Sequence, residues 1–190
     1  MKLAIVDLDG VVANADMRFA KAEEAKQARE KEIEFTGMTE AQIQRECSGT
    51  FWQTVFTPEL VALDTLIDGV VEAISFLERY PTDDSGYRVI FLTSRPESMR
   101  KATDNWLFEH ELQGPRLLMK APAFQFTKTL TWKVGMVQTL CQFYDADELL
   151  FIDDEKKHRE ATMDAFLGSD IDVIVASSLA DAFEKLKEDE

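Results

Sequence analysis

The sequence predicts an α/β protein: a doubly wound, mainly parallel five-stranded sheet with a small helical cap inserted after the first strand. Three observations predict it. Apolar runs of strand length recur at 3–9, 88–94, 116–120, 148–154 and 171–177. Helical patterns separate them, which implies right-handed crossovers between parallel strands. The runs are continuously apolar rather than alternating, as in strands covered on both faces. The remaining stretch, 14–65, breaks the alternation and supplies the cap, all within one domain spanning 1–190.

The first strand, "LAIVDLD", runs into Asp7, Asp9 and Gly10. Residues 16–35 are rich in Ala, Glu, Lys and Arg, and the pairs Lys21 with Glu24, Glu23 with Lys26 and Arg29 with Glu32 are spaced for a solvated surface helix. A second short helix is expected at 38–47, where Thr39 can cap, and "FWQTVF" (51–56) returns aromatic side chains to the core or a cleft edge. Ile67, Val70, Val71, Ile74 and Leu77 follow helical spacing, so 66–80 reads as an amphipathic helix. After "RVIFLTS", Pro96 suits a first helical turn, with Met99, Ala102 and Trp106 continuing one face to about His110. Further helices are expected over 132–143, 154–167 and 178–187.

Composition narrows the function classes. The apolar fraction of 45% and charged fraction of 30% are those of a soluble globular chain of 190 residues. Lys and Arg total 21 against 36 Asp and Glu, a net charge of -15, which disfavours long-range attraction to nucleic acid or anionic membrane. No apolar run approaches a membrane span and no signal peptide is legible, so a cytoplasmic protein is the expectation. Cys47 and Cys141 are far apart and lack metal or redox spacing, so they read as small apolar side chains. His110 and His158 have no partner motif and are expected on helix surfaces.

Chemistry concentrates at strand ends. In an open parallel sheet, ligands bind at the carboxyl ends of the strands, where the strand order reverses. Asp7 and Asp9 end the first strand, Thr93-Ser94-Arg95 the second and Asp153-Asp154 the fourth. Lys133 opens the helix leading into the fourth, whereas the competing Lys120 ends a strand and Lys128 lies in a loop. Four carboxylates meeting at one point would repel unless a cation were present. Oxygen-only ligands select a hard ion, so Mg²⁺ is the expected cofactor, held by Asp7, Asp9, Asp153 and Asp154, with Asp153 preferred over Asp154 as the direct ligand. A lysine and a strand-end hydroxyl beside it are donors for phosphate oxygens. Arg18 and Arg95 are candidates to clamp a phosphate or a second substrate charge. Phe51, Trp52 and Phe56 pack in the core or stack on a base.

The order of these segments resembles the haloacid dehalogenase (HAD) superfamily: "DLDGV", "FLTSR", the Lys133 of "TWK" and "FIDDE" match its four motifs across residues 2–160. The resemblance implies a HAD-like Rossmannoid fold and a phosphoric monoester hydrolase. In it Asp7 forms an aspartyl-phosphate, Asp9 is the acid and then the base, and Thr93 and Lys133 hold the phosphoryl group. Asp153 and Asp154 complete the Mg²⁺ site with Asp7 and the Asp9 backbone carbonyl. Dehalogenating members lack an acid at the Asp9 position, so its presence favours phosphoester hydrolysis. The phosphatase part of phage-type polynucleotide kinase-phosphatases is also similar, through Arg18 eleven residues beyond Asp7 and Arg95 closing "TSR", although Val11 replaces a usual Thr and Trp132 precedes the lysine.

The expected substrate is therefore a nucleotide or a nucleic-acid 3′-phosphate end, with another small phosphorylated metabolite as the alternative. No P-loop accompanies it, and no membrane or obligate protein partner is indicated. A response-regulator receiver also uses acids, Mg²⁺, Thr and Lys, but there an acid pair comes first, and here one comes last. A catalytically silent HAD-like binding protein is the remaining alternative.

Overall fold

Seven strands and seven α-helices, with three short 3-10 turns, make up residues 1–33, 37–79 and 86–188, which the computed structural model describes. The main sheet contains β1 (Lys2–Val6), β4 (Arg88–Pro96), β5 (Arg116–Lys120), β6 (Glu148–Ile152) and β7 (Asp172–Ala176). Its order is β5-β4-β1-β6-β7 and every pairing is parallel. The order reverses at β1, with β4 on one side and β6 on the other.

The continuous apolarity of these strands has a direct structural cause. Successive side chains point to opposite faces, and both faces are covered. Ala4, Val6, Val89, Phe91, Leu150 and Ile152 join one core with residues of α3 (Val70–Arg79), α4 (Arg100–Glu109) and α7 (Leu179–Glu188). Leu3, Ile5, Ile90, Leu92, Leu149 and Phe151 join a second core with α5 (Thr129–Tyr144) and the region after α6 (Lys156–Ala165). Fully burying one such side chain is worth about 1.5–3 kcal/mol, so a one-residue register slip is strongly disfavoured.

The insertion consists of α1 (Asp16–Ile33), α2 (Glu40–Val55) and a 3-10 turn, Pro58–Leu63. It is flanked by β2 (Ala13–Asn14) and β3 (Thr65–Leu66), which pair antiparallel and bring its two ends together. The three expected ion pairs form on the solvent side of α1, but Arg18 on the same helix is fully buried. Thr39 caps α2 through a capping box with Gln42. The cap starts a helix longer than 38–47, and it takes in Phe51 and Trp52.

Several boundaries move. The helix expected over 66–80 begins at Val70, because the Ile67 N–H is committed to the Val12 carbonyl beside β3. Pro96 ends β4 and α4 starts at Arg100, after a 3-10 turn. The last positions of the expected helices, residues 34, 35 and 80, lie outside the described residues. Both cysteines are buried thiols, as small apolar side chains would be. Among the described residues no helix is long and apolar enough to cross a membrane.

Candidate active site

Backbone hydrogen bonds carry the sheet ladder one residue past the strand ends and so fix the acids. The Asp7 N–H donates to the Ile152 carbonyl at 2.9 Å and the Asp153 N–H to the Ala176 carbonyl at 3.1 Å. Beyond Asp7 the chain turns at Gly10, whose φ of +84° suits glycine. A Cβ there would also lie 2.5 Å from Asp154 Oδ2, so the same glycine leaves room for an acid of the neighbouring strand end. In β4 the register with β5 is irregular between Thr93 and Pro96, a strand-end irregularity of the kind that re-aims side chains next to sites.

Lys133 lies in the second turn of α5 rather than opening it, and its Nζ donates to Asp7 Oδ2 at 2.5 Å and to Asp153 Oδ2 at 2.7 Å. The competing lysines do not do this; Lys120 donates to the Thr127 carbonyl. Ligand oxygens of Asp7, Asp153 and Asp154 all lie within 4.8 Å of one another. This is a hard, oxygen-only donor set with an exposed member, Asp154, on its open side, and it fits Mg²⁺. Asp153 already accepts from Lys133, from the Glu155 N–H at 2.9 Å and from His158 Nδ1 at 3.0 Å. Asp154 therefore offers less committed oxygens than Asp153.

Electrostatics follow from burial. Desolvation pushes the Asp7 carboxyl up to about 7, although Lys133 pulls the other way. Burial also raises Asp154, with the Asp153 charge adding to it. Asp153 goes down despite its burial, because His158 and Lys133 stabilise its charge. Burial opposes the charge on Lys133, but Asp7 and Asp153 outweigh it and hold the ammonium protonated.

Asp9 stands apart from this cluster. Its Oδ1 accepts from Arg18 Nη2 and Arg95 Nη2, both at 2.5 Å, and its Oδ2 accepts from Arg95 Nε at 3.2 Å. The same two guanidiniums reach Asp64, Arg18 Nε at 2.9 Å and Arg95 Nη2 at 2.7 Å. Two buried arginines and two acids thus form a neutral box joining the first strand end, α1, the end of the insertion and β4. Burial works against the Asp9 charge, but Arg95 and Arg18 overcome it and hold Asp9 below the usual carboxylate range.

Arg18 and Arg95, expected as candidates to clamp a phosphate, are fully buried, do not line the cleft and are paired with Asp9 and Asp64. The Asp9 carboxylate lies outside the three-acid cluster and is paired with these arginines; the ligand that the resemblance implies from Asp9 is its backbone carbonyl, not this carboxylate.

Above the acids opens a cleft of about 1000 Å³, whose floor includes Asp7, Asp9, Ser94, Lys133 and Asp154. Thr93 is fully buried and its Oγ1 accepts from the Arg95 N–H, while Ser94 lines the cleft. Phe19, Trp52 and Phe56 form part of the wall contributed by the insertion. Trp52 stacks on Phe56 with centroids 5.6 Å apart and is 48% exposed, so this is the cleft-edge outcome for "FWQTVF".

Neither a protein-family model nor a curated protein matches the chain. Solved structures do. A HAD-superfamily hydrolase of subfamily IA from Geobacter sulfurreducens aligns over 99% of each chain at 16% identity and a TM-score of 0.62. One from Ehrlichia chaffeensis aligns over 99% of this chain and 97% of its own, at 10% identity and 0.57. A conserved haloacid dehalogenase-like protein of unknown function from Agrobacterium tumefaciens covers 99% and 98%, at 15% and 0.55. The chain has the HAD fold.

On this HAD fold, two residues that sequence reasoning missed complete the site. Asp64 carried no motif signal; only its position in the box reveals it. His158, expected on a helix surface, is 2% exposed and faces Asp153, five residues before it. Its Nε2 is buried with no partner, a condition shared among the described residues only with Thr162 Oγ1. An unpartnered buried polar atom costs on the order of 1–3 kcal/mol. The i, i+5 spacing across the strand-to-helix turn was the one available signal for His158.

Proposed function

We propose that this protein is a Mg²⁺-dependent phosphomonoester hydrolase acting through a covalent aspartyl-phosphate, with a nucleotide or a nucleic-acid 3′-phosphate end as the favoured substrate. One observation carries the reading: Asp7, bonded to a buried lysine and clustered with Asp153 and Asp154, sits on the floor of an open cleft. Mg²⁺, held by Asp7, Asp153 and Asp154, would neutralise the acids and draw charge from the phosphate oxygens.

An Asp7 oxygen attacks phosphorus and the ester P–O bond breaks, with the leaving oxygen taking its proton from Asp9. Water then attacks the aspartyl-phosphate, Asp9 accepts the water's proton, and inorganic phosphate and free Asp7 result. Lys133 and the Ser94 side of the β4 end stabilise the transferring oxygens, with Thr93 holding that turn. The arginines that keep Asp9 ionised suit it to the second, base half of its role. Protonating the leaving group is the harder half, so esters of acidic alcohols are turned over faster than esters of aliphatic ones.

Substrate class follows from the wall and the charge. A phosphate fills little of a 1000 Å³ cleft, and exposed Trp52 stacked on Phe56 gives a flat apolar group a surface to lie on. The net charge of -15 opposes binding of long duplexes, favouring mononucleotides or short single-stranded ends. The test is phosphate release with Mg²⁺ from an aryl phosphate, 5′- and 3′-mononucleotides, 3′-phosphorylated oligonucleotides and sugar phosphates. Asp7→Asn is expected to be inactive on all of them. Equal activity in Asp7→Asn would overturn the nucleophile, sugar phosphates outcompeting every nucleotide would overturn the substrate class, and no release from any ester would leave a HAD-like binding protein.

A further inference from the structure

His158 has no place in the chemistry above, yet it is buried against an acid at the centre of it. Its Nδ1 lies 3.0 Å from both Oδ1 and Oδ2 of Asp153. Only carboxylate oxygens face that nitrogen, so it carries the proton and donates. The other Asp153 bonds are one-sided: Glu155 N–H to Oδ1 and Lys133 Nζ to Oδ2. A donor placed across both oxygens opposes rotation of the carboxylate, and rotation would break the Lys133 and Glu155 bonds together.

The opposite nitrogen supports the same conclusion. Nε2 is buried without a protein partner, so the imidazole is a poor choice for packing alone. An apolar side chain would fill the space without leaving a polar atom unmet. What histidine contributes here is the Nδ1 donor.

We propose that His158 is a positioning residue, acting through Asp153. Its Nδ1–H locks the Asp153 carboxylate in the orientation that holds Lys133 against Asp7 and sets the spacing of the three-acid cluster for Mg²⁺. The inference rests on the metal-dependent reading of the site. Partners of this kind, placed behind the ligands, typically change metal affinity 10–100-fold when lost.

Three variants separate the donor from the bulk. His158→Leu removes it, His158→Asn places an amide N–H near the Nδ1 position, and His158→Gln places one nearer Nε2. Mg²⁺ affinity is measured by calorimetry without substrate, melting is measured in EDTA, and kcat and KM are measured on an aryl phosphate. The expected result is a Mg²⁺ dissociation constant raised tenfold or more in His158→Leu and His158→Gln, with kcat falling more than KM rises. His158→Asn recovers most of both.

Leu and Gln variants that bind Mg²⁺ as the wild type does would overturn the proposal, and so would an Asn variant as weak as Gln. The Asn and Gln pair decides the matter if Leu fails to fold. Wild-type protein that binds no Mg²⁺ would overturn the metal-dependent reading itself, and this inference with it; that result is distinct from wild type binding while the variants match it.

Discussion

Lys133 Nζ and Asp7 Oδ2 lie 2.5 Å apart although 126 positions separate the residues in the chain. Both are buried, and each would be costly there alone, since an isolated buried charge is forced toward neutrality. Lys133→Met keeps the length and loses the charge. It is expected to lower kcat by about 10²–10³, the range for removing a preorganised donor. Steady-state kinetics on an aryl phosphate checks this, and a loss under threefold would remove Lys133 from the phosphate site.

Asp7 sets a link between Mg²⁺ and protons. Burial first of all raises its pKa from 3.8 to about 7, so without metal the native state binds this proton more tightly than the unfolded chain. Its unfavourable contribution therefore grows as pH rises from about 4 to about 7. Mg²⁺ relieves that cost by taking the proton's place. The melting gain on adding Mg²⁺ is expected to be several degrees larger at pH 8 than at pH 6. Asp7→Asn, without the buried charge, should melt above wild type in EDTA at pH 8. Differential scanning calorimetry reads both, and a Mg²⁺ gain independent of pH would contradict the first.

Asp9 has the opposite sign. Its pKa is depressed, with Arg95 and then Arg18 outweighing burial, so its stabilisation is present at neutral pH and is lost as pH falls below 3.8 through the lower folded value. Breaking the box that holds it is the sharper test. Asp64→Ala leaves two buried guanidiniums with one carboxylate, and the stability lost is expected to be about 3–5 kcal/mol. Urea unfolding with an unchanged slope would record this as a lowered midpoint. A loss below about 1 kcal/mol would mean that water replaces Asp64 at little cost.

Gly10→Ala meets two obstacles. The φ of +84° is strained for alanine, by about 1–2 kcal/mol in the left-handed region, and the new methyl would stand 2.5 Å from Asp154 Oδ2. Asp154 must move, so Mg²⁺ affinity is expected to fall at least tenfold, with melting down by a few degrees. Calorimetric titration of Mg²⁺ into the variant settles it; unchanged affinity would take Asp154 out of the metal site.

Trp52→Ala probes the aromatic wall. Stacking on a base is worth about 1–3 kcal/mol, which corresponds to a KM for nucleotides raised roughly 5–150-fold. Turnover of a small aliphatic phosphate should stay within twofold. Equal effects on both substrates would assign Trp52 to packing.

The strands and the acids at their ends were legible because their signals are local. A run such as "RVIFLTS" must be covered on both faces whatever surrounds it, and β4 contains it in full. Helix starts were less legible: Ile67 has helical spacing, but its N–H is claimed by Val12, 55 positions back. The burial of Arg18, in a helix read as solvated, and of His158, read as a surface residue, was illegible for a related reason. Each sits in a polar helical segment, and only an acid contributed by another element makes burial affordable.

The sequence alone determined the class of sheet, the place of the insertion and which strand ends carry acids and hydroxyls, because periodicity and strand-end chemistry are properties of short segments. The tertiary structure decided how those groups are partnered: Asp9 with arginines rather than with the other acids, Lys133 between Asp7 and Asp153, His158 behind Asp153, and Asp64 in the box. Partner choice among charges depends on which buried groups leave water together, and that is settled when distant segments pack, not along the chain.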